Sequence, residues 1–202
     1  MPQSTEPPWF LRKIDSADPW RKAANLSSDL PSACLRDLAD KDSCPSLYEI
    51  RNDADIVVAV AGIAAGSQSN TPAPATVMIL SNSCVRASGL VPVSTPATVD
   101  AVRDKHWQLT DLSVGGLSQW VVAIHGEVSG GAESEGSFEQ PGLREISRPE
   151  IADQLIRWIA EGSLKVDLKR EKALAECASP VGNTILRDLR NPVQTGATTH
   201  GQ

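Results

Sequence analysis

Between Ser46 and Gly66 the chain reads SLYEIRNDADIVVAVAGIAAG, and no other stretch restricts the fold as much. Leu47-Tyr48-Glu49-Ile50 has the composition of a strand. Asn52 suits a helix N-cap, and Asp53 and Asp55 fall in the first turn, where the helix dipole favours carboxylates. Ile56, Val60 and Ile63 recur at i, i+4 and i+7, and Gly66 stands where a C-terminal glycine belongs. The other side carries Val57, Ala59, Ala61 and Ala64, so the helix has no polar face. Such a helix has to be buried, and its small residues allow close packing on a sheet.

Ala75-Thr76-Val77-Met78-Ile79-Leu80 is a second strand whose four consecutive apolar residues predict burial on both faces. Strand, helix and strand together predict a right-handed β-α-β unit. Trp9 to Ile14 reads as an earlier strand, Ser16 to Pro19 as a turn, and Asp29 as the cap of a short helix from Leu30 to Ala39. Leu90-Val91-Pro92-Val93 reads as a short edge strand, because Pro92 cannot donate to a ladder.

Thr95-Pro96 predicts a helix start and a helix running to about Trp107, with Val99, Val102, His106 and Leu109 on one side. A further helix is expected from Thr110 or Ser113, carrying Leu117, Val121 and Ile124. Gly126 to Gly142 is rich in glycine, serine and glutamate and predicts a mobile connection. Ser147-Arg148-Pro149-Glu150 is a capping box that opens an amphipathic helix with Ile151, Leu155, Trp158 and Ile159 on its buried stripe and Gly162 at its end. Leu164 to Ala178 predicts the last helix.

The expected architecture is therefore α/β or α+β. It has a small mixed sheet of three to four strands, a buried helix after the central strand and a helical C-terminal half. One domain is expected over residues 1–178, with a mobile loop at 126–142 and a disordered tail at 179–202, where Ile185, Leu186 and Leu189 are the one sizeable apolar cluster.

Four cysteines, Cys34, Cys44, Cys84 and Cys177, are spaced too irregularly for a zinc ribbon or a CxxC redox pair. The even count permits two disulfides in any of three connectivities, but MPQSTEPPWFLRK lacks the apolar core of a secretory signal, so free thiols and a cytoplasmic location are expected. The longest apolar run, Ile56 to Ala65, falls far short of the ~20 residues of a membrane span. A net charge of −6 disfavours nucleic acid and anionic membrane as partners, unless a local basic patch overrides the balance.

The glycines of Ala61 to Gly66 match neither G-x-G-x-x-G nor a Walker loop, and no cofactor is expected. The three histidines, His106, His125 and His200, have no metal-ligand spacing. Asp37, Asp40 and Asp42 lack the glycine and final glutamate of a calcium loop, so no metal is expected either.

Cys84 and Asn82 follow the second strong strand, at the carboxyl end where open α/β sheets place ligands. With His106 they form a weak catalytic candidate set, since a thiol beside an imidazole is an activated nucleophile. His125 and Asp111 are secondary candidates for the same place. The bland alternative is a buried thiol acting as a small hydrophobe.

A third possibility is nucleic-acid binding by the 147–178 helical hairpin through Lys165, Lys169, Arg170 and Lys172. Six acidic residues interrupt that stretch, from Glu150 to Glu176, and leave it close to neutral. The function expected from the sequence is a non-catalytic cytoplasmic interaction or accessory protein acting on another protein. A small thiol enzyme is the alternative, and nucleic-acid binding comes after it. Among the five tryptophans, one or two are expected to anchor a partner surface.

Overall fold

Tight backbone pairing across Trp9–Ile14 organises the molecule. In the computed structural model this strand, β1, lies between β2 (Ser46–Ile50) and β3 (Ala75–Ser81) and is antiparallel to both. The structure describes residues 9–14, 45–67, 69–87, 89–130 and 138–191. The expected turn at Ser16–Pro19, the helix from Leu30 to Ala39, Cys34, Cys44 and the Asp37–Asp42 cluster lie outside the described residues.

Among the described residues the sheet has six strands, in the order β4-β5-β2-β1-β3-β6, with every neighbouring pair antiparallel. The remaining strands are β4 (Val91–Ser94), β5 (His106–Thr110) and β6 (Gly142–Ile146). This corrects the expectation of three to four mixed strands. β2 and β3 run parallel to one another, as a β-α-β reading requires, but they are not neighbours. β1 occupies the slot between them and supplies antiparallel partners on both sides.

The helix α1 (Asp53–Gly66) connects β2 to β3, and no residue from Asp55 to Ala65 is exposed. Asn52 caps it, its side chain accepting the Asp55 N–H at 3.1 Å. Gly66 is the last helical residue rather than the cap. The Ser67 N–H and Oγ both donate to the Ala64 carbonyl, at 3.2 and 2.8 Å. Arg170 adds a second cap from far along the chain, donating to the Ala64 carbonyl at 2.9 Å and the Ala65 carbonyl at 3.3 Å. Gly62 is where α1 comes closest to its neighbour: a Cβ there would stand 2.5 Å from a Val102 methyl.

Alternation along β1 separates two cores. Leu11 shares one face with Ile50, Val77, Ile79 and α1. That face is closed by α4 (Arg148–Ala160), α5 (Leu168–Cys177) and α6 (Pro180–Arg190). Phe10 and Ile14 turn to the other face with Leu47, Met78, Leu80 and Leu109. Among the described residues two helices cover it: the short α2 (Asn82–Ala87), and α3 (Val114–Gly130), which buries Leu117, Trp120, Val121 and Ile124.

Several expected boundaries move. The helix expected from Thr95 to Trp107 is a 3₁₀ helix at Asp100–Lys105 followed by β5. Trp107 and Leu109 alternate with His106 and Gln108, so period two wins over the helical spacing once β2 and β4 offer backbone partners. α3 continues to Gly130, into the stretch expected to be a loop, because its apolar face still has Val128 to pack.

The capping box forms as read, with Ser147 accepting from the Glu150 N–H and the Glu150 carboxylate accepting the Ser147 N–H at 2.8 Å. Gly162, at φ +75°, lets the chain leave α4 in the left-handed region. Of the stretch expected as a tail, residues 192–202 lie outside the described residues, and its first part, Pro180–Arg190, instead forms α6. Ser179 caps it, and Asp153 on α4 accepts the Ser179 N–H at 3.0 Å and the Ser179 hydroxyl at 2.5 Å. Leu186 is 3 % exposed against this layer.

Candidate functional site

The carboxyl end of β3 carries the residues that the sequence singles out. Ser81 ends the strand and caps α2, its hydroxyl accepting the Cys84 N–H at 3.0 Å. The same hydroxyl donates to Glu127 of α3, and the Ser81 N–H donates to the other Glu127 oxygen at 3.0 Å. Ser83 Oγ lies 2.8 Å from Ser81 Oγ. Asn82 accepts from Arg86 Nε at 3.3 Å, an i, i+4 contact along α2.

Cys84 sits under this polar rim, 5 % exposed, among Val85, Leu90 and Trp120 of the second core. Burial pushes its thiol well above the usual cysteine range. The Glu127 carboxylate pushes it further, through its charge and a hydrogen bond from the thiol. A thiolate there would lose water and face a like charge, which is the reverse of what activates a cysteine.

His106 does not join this group. It is the cross-strand partner of Tyr48, and the two rings make an edge contact at 5.2 Å. Directly opposed residues on antiparallel strands share a face, and Tyr48 packs on the first core. Cys84 belongs to the second. The sheet therefore stands between thiol and imidazole.

His106 Nδ1 is held at 2.8 Å from Thr95 Oγ1 and 3.2 Å from the Thr95 carbonyl. Burial lowers its pKa below the ordinary histidine value, against a smaller upward pull from the Thr95 backbone bond. Burial also raises the Tyr48 phenol.

The lowered imidazole has a consequence for stability. The unfolded ring titrates near ~6.5, and the folded ring titrates lower. The folded state thus binds fewer protons as pH falls through that range, and stability present above ~6.5 is lost progressively below it. Urea midpoints at pH 7.5 and pH 5.5 should therefore fall further for the wild type than for His106→Gln, which removes this titration. Equal losses in both would show that His106 contributes nothing.

Other candidates have evident structural roles. Asp111 turns the chain between β5 and α3 at φ +56°, a conformation aspartate tolerates better than most residues. His125 lies on α3, partly buried, one position from the buried Ile124. In the 147–178 segment, α4 buries Ile151, Leu155 and Trp158, and Arg170 is committed to the end of α1. Lys165, Lys169 and Lys172 are exposed.

Two groups escaped the sequence reading. Glu127 falls in the stretch read as a loop. Its place one turn beyond Ile124 on a continuing helix is the signal that would have found it. Asp55, read only as a first-turn acid favoured by the helix dipole, is 8 % exposed and accepts the Arg51 N–H at 2.8 Å and Lys105 Nζ at 2.6 Å. It locks the start of α1 to the 3₁₀ helix, and only tertiary contact reveals that.

Among the described residues, no group of three or more histidine, cysteine, aspartate or glutamate side chains is placed to hold a metal ion. No helix among them is long and apolar enough to cross a membrane. Comparison of the chain with family models, with curated proteins and with solved structures finds no match.

Proposed function

We propose that the chain is a non-catalytic interaction or accessory protein of the cytoplasm that offers a surface to another protein. The observation that carries this reading is the separation of Cys84 from His106 by the sheet. A thiol enzyme needs a nucleophile, a base within hydrogen-bond reach and an electropositive setting. Here the thiol is buried beside a carboxylate, and the imidazole, on the other face of the sheet, holds Thr95 through Nδ1. Asn82 accepts from Arg86 within its own short helix. Of the three candidates, Cys84 packs in the second core, while Asn82 and His106 are partly buried on separate elements.

Apolar side chains left in solvent are available to a partner. Leu168 on α5 is 73 % exposed, and Val181 and Leu189 on α6 are 62 % and 42 % exposed. The test is a triple variant, Leu168→Ser, Val181→Ser and Leu189→Ser. Exposed positions change stability by only about 0.5 kcal/mol each, so the variant should fold. Wild type purified from its native host should carry a partner at fixed stoichiometry, and the variant should lose it. A wild-type chain with no such partner, or a variant that keeps it undiminished, goes against this reading.

A further inference from the structure

We draw no further inference here: the strongest candidate, the exposed apolar surface of Val181 and Leu189 on α6 with Leu168 on α5, carries nothing beyond the reading above because nothing in the structure shows what covers it.

Discussion

Val60→Asp should abolish cooperative folding. Val60 lies mid-way along α1, 2 % exposed, in the core that also holds Ile56, Ala59, Val77 and Ile79. No residue of α1 from Asp55 to Ala65 is exposed, and Val60 is flanked by the buried Ala59 and Ala61. A charge placed there without a partner costs several kcal/mol, and keeping it protonated at neutral pH costs free energy as well. Against a total stability of ~5–15 kcal/mol, that is enough to unfold the domain. Far-UV circular dichroism and a urea titration give the readout. A soluble Val60→Asp protein with a wild-type unfolding transition would overturn the burial of α1. Val60→Ala is the milder companion: it removes two methyl groups, and loss of apolar bulk alone should cost about 1–3 kcal/mol.

Truncation after Ala178 should lower the thermal midpoint by roughly 10 °C. The cut removes α6, whose Leu186 is buried with Trp158 and Leu174 in the first core. It also leaves Asp153 without the Ser179 N–H and hydroxyl it accepts. Loss of one buried leucine costs about 2–5 kcal/mol, and each kcal/mol moves the midpoint by ~2–4 °C in a chain of this size. Leu186→Ala in the full chain isolates the packing part and should recover a large share of the fall. Gly182 explains why the fit is close: a Cβ there would meet Asp153 Oδ1 at 2.2 Å. If the truncated chain melts with the full-length one, α6 does not contribute to the core.

What the residues disclose on their own is local. Asn52, the apolar run through α1, the Ser147 and Glu150 box and the edge position of Pro92 are each read from a few neighbours, and each is found in place. What they conceal is pairing. β5 is spelled with Trp107 and Leu109 at a spacing that also suits a helix, and only the presence of β2 and β4 decides between them. That choice, together with the unread β6, kept the expected sheet at three to four strands, and it placed His106 on a helix side instead of a sheet face.

α6 was concealed for another reason. Asn183, Thr184 and Gly182 suggest a loop by composition, whereas Gly182 is needed for close approach to Asp153 and Leu186 faces the core. The candidate site has the same history. Cys84, Asn82 and the end of β3 are where the sequence puts them. The face on which His106 would point, and the acid that α3 would bring, depend on partners far away in the chain.

The central claim is that Cys84 is a buried structural thiol with no activating base. Native protein labelled with iodoacetamide between pH 5 and 9, with the modified peptides identified by mass spectrometry, tests it most directly. Burial and Glu127 both disfavour the thiolate, so Cys84 should stay protected across the range and label only on unfolding. Cys177, partly exposed, should react first of these two. Rapid and selective labelling of Cys84 at pH 6, abolished by His106→Ala, would contradict the account and make the thiol-enzyme reading the one to pursue.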